Sequence, residues 1–218
     1  MRFDILTIFP KIFDSYLNES ILKRAQKKKL IQIIIHDFRK FAHDKHKQVD
    51  DRPYGGGPGM ILKVEPIYKC LKSIKRKKKS KVILLAPEGK LFNQNLAKKF
   101  SSLEQIILIC GRYEGFDERV KKYVDEKISV GPYVLTGGEL PAMTLVEAIS
   151  REISGVLGDK TSKEDETYSK GLDYVEYPQY TRPRQFLGQK VPKILLGGNH
   201  QKIENWRKTK VKIRKKFY

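Results

Sequence analysis

Two acids, a Pro-Tyr pair and four glycines stand together in DDRPYGGGPGM, from Asp50 to Met60. Glycines at that density let a backbone approach a ligand closely and present its N–H groups, so this stretch reads as a binding loop. Five further loops follow the same logic: CGRYEGFDERV (110–120), VGPYVLTGGELP (130–141), GVLGD (155–159), QYTRP (179–183) and LLGGNH (195–200). None of them is a nucleotide-triphosphate loop, because GGGPGM lacks the GK[ST] that ends a Walker motif and no loop gives GxGxxG after a strand. The histidines, His36, His43, His46 and His200, form no HExxH and pair with no cysteine. His43 and His46 sit in FAHDKHKQVDD, which reads as a polar surface segment. Cys70 and Cys110 lie in apolar runs without a CxxC partner and are expected as reduced core residues.

Loops of this kind need a scaffold, and the chain supplies an alternating one. The pattern predicts a strand in RFDILTI, a helix over 10–26 with Ile12, Phe13, Tyr16, Leu17 and Ile21 at helical spacing, and a strand in LIQIIIH. Further along it predicts a helix around 66–77, the strand KVILLAP, a helix over 93–101 and the strand QIILIC. A helix near 117–123, the strand DEKISV and a helix over 139–151 complete the series. Such alternation is an α/β fold with a parallel sheet, and the glycine loops are expected just after the strands, at the carboxyl edge where open α/β sheets hold ligands. Past Arg151 the pattern fails. The expected division is a main domain over 1–157, a polar, flexible linker over 158–174 centred on KEDETYSKG, and a small domain of a few short helices over 175–218, with Ile203 and Trp206 facing the main body.

A chain of 218 residues that is 39% hydrophobic can bury a core of its own. It has no apolar run of about 18 residues and no signal-peptide pattern at MRFDILTIFP, so a cytoplasmic protein without a membrane partner is expected. The net charge of +20 attracts a polyanion above all, which points to nucleic acid. A lysine-rich surface also serves solubility, and that alternative stands beside it. Two stretches concentrate the charge: 72–81 with seven basic residues, and 200–218 with eight against the single acid Glu204.

DDRPYGGGPGM, CGRYEGFDERV, GGELPAMTL (137–145), the YTRP that ends at Pro183, and LLGGNHQKIENWR occur in this order. Together they closely resemble the bacterial tRNA (guanine-N1)-methyltransferases of the TrmD type, over essentially the whole chain. The resemblance implies a SPOUT fold, a parallel α/β sheet with a C-terminal trefoil knot, plus a small helical C-terminal domain. It implies a homodimer with the active site at the subunit interface. The implied reaction transfers a methyl group from S-adenosyl-L-methionine to N1 of the guanosine just 3′ of the anticodon, tRNA position 37. It assigns cofactor contacts to Leu85, Ala86 and Pro87, to Gly111, Tyr113 and Glu114, to Val130, Gly131, Pro132, Tyr133, Val134 and Leu135, and to Gly138 and Pro141. Pro132 departs from the polar residue of many relatives and removes a backbone donor. A divalent cation, usually magnesium, is implied as well, with no ligand cluster to hold it. Relatives extend beyond KIRKKFY, so a minimal tRNA-binding domain is expected.

Guanine N1 carries a proton in the neutral base. As the methyl arrives this proton must leave while negative charge builds toward O6, so the chemistry asks for a carboxylate near N1 and a cation near O6. By resemblance Arg151, in SREISGVLG, is the O6 partner; its bland alternative is a helix-capping surface arginine. The family's aspartate in EDSF meets EDETY here, 164–168, and an ungapped count from GVLG puts Glu166 in register, with Asp165 as the rival base. Both acids could equally be solvated linker charges. Asp50, Arg52 and Tyr54 would hold the target guanine, which must leave the anticodon-loop stack. A non-catalytic RNA-binding protein that keeps the fold is the competing class, motivated by Glu166 and Pro132; a third reading is a related knotted methyltransferase with another RNA target.

Overall fold

The structure is a computed structural model that describes residues 1–158 and 163–214. Contacts divide the chain into two units, the first Met1–Gly158 and the second beginning at Asp159. In the first, five strands form one sheet in the order β2-β1-β6-β5-β7, all neighbours parallel. They are β1 (Arg2–Thr7), β2 (Gln32–Asp37), β5 (Ser80–Leu91), β6 (Gln105–Cys110) and β7 (Glu126–Ser129). A two-stranded antiparallel ladder of β3 (Asp50–Asp51) and β4 (Ile61–Leu62) stands apart. The helices are α1 (Asp14–Leu17), α2 (Ser20–Lys27), α3 (Val64–Ser73), α4 (Gln94–Ser101) and α5 (Glu139–Glu152).

Every residue of QIILIC is buried, as the central strand of a parallel sheet covered on both faces must be. Alternate side chains feed two cores. Ile106, Leu108 and Cys110 join Phe3, Ile5 and residues of α2, α4 and α5, whereas Ile107 and Ile109 join Leu6, Val82, Leu84 and residues of α3. Burial pushes the Cys70 thiol up to about 12 and the Cys110 thiol well above its ordinary value, so both stay protonated, buried thiols. Asp4 is buried inside β1. Burial alone would raise its pKa, but hydrogen bonds from His36 (2.8 Å), Arg2 (2.6 Å) and Gln105 (2.7 Å) outweigh that and hold the carboxyl below its usual range.

Three elements differ from the sequence pattern. The single helix over 10–26 is a 3-10 turn at Pro10–Phe13 followed by α1 and α2, with Ser20 at φ 49° between the latter two. Asn18 donates to the Asp14 carbonyl there, the competition with helix propagation that Asn side chains offer. The helix near 117–123 is a six-residue 3-10 turn, Glu118–Tyr123, capped by the Asp117 carboxylate accepting from Arg119 N–H. The strand KVILLAP continues to Leu91 through a bulge: β5 pairs with β7 up to Leu85, breaks register, and resumes at Lys90. A Cβ on Gly89 would lie 2.5 Å from the Ile128 nitrogen, so only glycine lets the two strands pass at the bulge.

The second unit is assembled from short pieces. β8 (Tyr174–Val175) pairs with β11 (Lys212–Ile213), and β9 (Gln185–Phe186) with β10 (Gln189–Lys190). Two helices, α6 (Lys193–Leu196) and α7 (His200–Lys210), supply its helical content, and Asn199 caps α7 by accepting from Lys202 N–H. Among its described residues Tyr174 is the buried hydrophobic one, and Trp206 meets Tyr180 within the same unit, ring centroids 6.3 Å apart. Among the described residues no helix is long and apolar enough to cross a membrane.

Candidate functional site

The bulge in β5, the turn after β6 and the loop after β7 converge at the carboxyl edge of the sheet. They enclose a cavity of about 360 Å³, within the range of roughly 300–1,000 Å³ usual for small-molecule sites. Leu85, Ala86 and Pro87 line it from the bulge, Gly111, Tyr113 and Glu114 from the second turn, and Val130, Tyr133, Val134, Leu135, Gly138 and Pro141 from the third. Two residues expected with them do not line it. The Gly131 N–H and C=O are both bonded to the Ser129 hydroxyl, at 3.3 and 3.0 Å, beneath the Tyr133 ring, and Pro132 is exposed.

Glycines set the spacing of this cradle. Gly138 N–H donates to the Gly111 carbonyl at 2.9 Å, and a Cβ on Gly138 would meet Cys110 Cα at 2.7 Å, so the start of α5 is seated directly on the end of β6. Gly111 likewise lies against the Phe116 ring, which a Cβ would meet at 2.8 Å. The result is a pocket with much backbone in its floor and with aliphatic, aromatic and some charged side chains in its walls. Such a lining fits adenosylmethionine, which needs main-chain donors and acceptors for its adenine and methionine ends and apolar walls for its rings.

Some lining groups escaped the sequence reading. Arg112 extends over the Phe9 ring at 4.8 Å and forms an ion pair with the buried Glu139 carboxylate, Nη2 to Oε2 2.9 Å. Glu139 in turn accepts from the Thr7 hydroxyl at 2.8 Å. The ion pair lacks hydrogen-bond geometry: Arg112 Nε and Glu139 Oε2 are both buried without a hydrogen-bond partner. Opposite charges next to glycines, in CGRYEG and GGELP, were the available signal.

DDRPYGGGPGM is stitched to this wall. Glu114 N–H donates to the Met60 carbonyl at 3.0 Å, Leu62 N–H to the Gly115 carbonyl at 2.9 Å, and Asp117 N–H to the Leu62 carbonyl at 2.9 Å. The loop is the tip of the β3–β4 ladder rather than a strand-end loop, and its glycines 55, 56, 57 and 59 all take positive φ. Gly59 packs where a Cβ would overlap the Glu114 side chain. Asp50 is half-buried, Arg52 exposed, and the Tyr54 ring fully exposed at the tip. GVLGD and LLGGNH also depart from the strand-end expectation: the first follows α5, with Asp159 outside the described residues, and the second joins α6 to α7.

Arg151 is half-buried in the last turn of α5 and does not line the cavity. Thirteen residues separate it from Gly138, about 20 Å at 1.5 Å per residue. It belongs to the outward stripe of α5 formed by Leu140, Thr144, Glu147 and Arg151. Leu140 is 60% exposed, and Ile12 and Tyr16 are exposed as well, with Glu147 bonded to the Tyr16 hydroxyl.

In the second unit residues 163–176 form a closed turn. Tyr168 N–H donates to the Tyr174 carbonyl at 3.0 Å, Ser169 N–H to the Glu166 carbonyl at 2.9 Å, and Glu176 N–H to the Thr167 hydroxyl at 3.3 Å. Asp165 is exposed and paired with Lys170 at 2.7 Å, whereas Glu166 is half-buried. Residues 159–162 of the expected linker lie outside the described residues. No group of three or more His, Cys, Asp or Glu that could hold a metal exists among the described residues, so they do not fit a protein-built magnesium site.

Comparison with known proteins adds a family. A sequence model described as "tRNA (Guanine-1)-methyltransferase TrmD" matches residues 1–218. The tRNA (guanine-N(1)-)-methyltransferase of Dictyoglomus turgidum is 54% identical over 217 residues, 100% of this chain and 87% of that protein. Proteins of the same name from Staphylococcus carnosus and Carboxydothermus hydrogenoformans are 53% and 54% identical, over 98% and 95% of this chain and 87% and 81% of their own lengths.

Proposed function

The chain belongs to the TrmD family and is a tRNA (guanine-N1)-methyltransferase that uses S-adenosyl-L-methionine, and from that premise we propose that its target is the guanosine just 3′ of the anticodon, position 37. The observation that carries the reading is the convergence of Leu85–Pro87, the 111–114 turn and the 130–138 loop on one backbone-floored cavity. These residues hold the cofactor, which supplies a methyl group already activated on its sulfonium. What remains for the protein is alignment and making N1 nucleophilic.

Tyr54, fully exposed on a glycine-rich tip beside the cavity wall, offers its ring to the guanine drawn out of the anticodon loop, with Asp50 in the ladder that carries the tip and Arg52 just after it. A Glu166 carboxylate oxygen takes the N1 proton. Its half-buried position favours it over the exposed Asp165. The Arg151 guanidinium donates to O6 as charge accumulates there. No step is assigned to a divalent cation.

Arg151 and Gly138 sit at opposite ends of α5, so one copy of the chain does not bring Arg151 to its own cavity lining. A second copy does: the stripe that carries Arg151 begins with exposed Leu140 and lies beside exposed Ile12 and Tyr16, an apolar face suited to pairing. The working enzyme is therefore a homodimer with each active site at the subunit interface. The same reading takes the 80–152 region as the SPOUT trefoil knot, 175–218 as the tRNA-binding domain and the cytoplasm as its place. Incubation with methyl-labelled adenosylmethionine and unmodified tRNA, followed by nucleoside mass spectrometry, tests it. The expected product is 1-methylguanosine at position 37; no transfer identifies the non-catalytic binder, and another nucleoside or position identifies a different methyltransferase.

A further inference from the structure

A second cavity of the first unit, about 310 Å³, takes no part in this chemistry. It lies on the α3 face of the sheet, below the first cavity, where Val82 and Ile107 lie in β5 and β6 and Asp125 leads into β7. Tyr68 and Tyr123 meet at its rim with ring centroids 4.7 Å apart, and the Lys72 ammonium stands 5.6 Å over the Tyr68 ring. Arg76 is held in place by Asp125 (3.2 Å) and the Ser80 hydroxyl (3.1 Å). Around it the charge is one-sided: from Pro66 to Pro87 the chain has no acid. Lys75, Lys77, Lys78, Lys79 and, on the opposite wall, Lys122 are all exposed, and among the described residues none of their ammonium groups is paired with a carboxylate, although the Lys79 backbone N–H donates to the Glu104 carboxylate at 3.0 Å.

We propose that this face is a second binding surface for the tRNA, its unpaired lysines meeting the phosphate backbone and the Tyr68–Tyr123 pair meeting an unstacked base. The proposal rests on tRNA being the substrate. Three observations converge on it. Adjacent like charges repel one another, and a polyanion relieves that repulsion while releasing its own counterions. Aromatic rings set among cations are the pattern by which proteins hold single-stranded nucleic acid, and Tyr123 is 43% exposed. Lastly, the two cavities are neighbours: Lys121 lines the first and Lys122 the second, and along β5 Val82 and Leu84 do the same. The 3-10 turn Glu118–Tyr123 is thus the ridge between them, and one polynucleotide can cross it with a base at each side.

The test replaces Lys75, Lys77, Lys78, Lys79 and Lys122 by Gln in the full chain and measures tRNA affinity against salt. Removing one lysine–phosphate pair lowers the slope of log K against log salt by roughly 0.7–0.9, so the variant is expected to lose two or more units of slope and at least tenfold in affinity near 0.1 M salt. Turnover at saturating tRNA and calorimetric affinity for adenosylmethionine stay unchanged. A native slope and affinity would overturn the proposal. A second measurement needs no variant: acetylation of the native protein with and without tRNA, read by mass spectrometry, is expected to show Lys77–Lys79 and Lys122 protected and Lys27–Lys29 not. Equal labelling of the first set would overturn the surface. A native protein that transferred no methyl would instead break the functional reading, and the footprint would still be readable.

Discussion

The two ends of α5 are built differently and answer to different demands. At the amino end Gly138 touches the β6 backbone, Glu139 is buried against Thr7 and Arg112, and Pro141 lines the cavity; packing dictates nearly every atom. At the carboxyl end Arg151 sits half-buried on an outward stripe, where the proposed role at O6 rather than cavity lining would account for it. In the proposed mechanism one helix therefore carries a cavity-lining end and the end that bears Arg151, about 20 Å apart. The lesson is that residues read as one list need not lie together in one copy of the fold.

Substitutions should separate these demands, beginning where turnover alone is at stake. Glu166→Gln is expected to lower methyl transfer by about 10²–10⁴-fold, the usual contribution of a general base, with adenosylmethionine affinity unchanged, while Asp165→Asn changes transfer less than threefold. Single-turnover kinetics and calorimetry on the pair check this, and the reverse ranking would move the base to Asp165. Arg151→Lys keeps the charge but loses the planar fork. A fall of about 10²-fold in kcat is expected from losing a transition-state donor, again with cofactor affinity intact; native turnover would return Arg151 to a helix-capping role.

The amino end should respond in the opposite way. Gly138→Ala pushes a Cβ against Cys110 and Gly111 backbone, a steric conflict of about 1–3 kcal/mol. Thermal unfolding should begin lower, by roughly 2–4 °C per kcal/mol for a chain of this size, and cofactor affinity should fall with it. Unchanged melting and affinity would mean that the contact between α5 and β6 is not what seats the pocket.

The smallest effect concerns the sheet beneath both ends. Asp4 has a lowered pKa in the fold, so its stabilisation is present in full above its unfolded value, near 3.9, and is lost as pH falls through the folded value below that. Asp4→Asn should cost about 1–3 kcal/mol at pH 7, and its difference from the native protein should shrink as pH drops below about 4. A pH-independent difference in urea titrations would show that the carboxylate's charge is not what matters.

The strands were legible because their alternation is strict: QIILIC begins and ends as read, and the parallel order follows from the helices between strands. The helix over 10–26 was misread because hydrophobic spacing continues across a chain that Asn18 and Ser20 break locally. The glycine loops after the strands were legible as ligand loops, but the individual lining residues came from the family resemblance, and all of them except Gly131 and Pro132 line the cavity. What the motif could not reveal was Gly131 turned into its own hydrogen bonds, or Arg112 and Glu139 coupled across two loops, since both depend on three-dimensional neighbours.

The claim that each cavity is completed by the carboxyl end of α5 from a second copy is tested most directly with mixed dimers. Arg151→Ala lacks the O6 donor, and Leu135→Asp places a charge in the cavity wall at a partly exposed position, away from the core. Each homodimer is expected to be inactive. A heterodimer of the two, separated by distinct affinity tags, should hold one intact cavity facing one intact Arg151 and recover about half of the native single-turnover amplitude. A heterodimer as inactive as its parents would mean that Arg151 serves the cavity of its own chain.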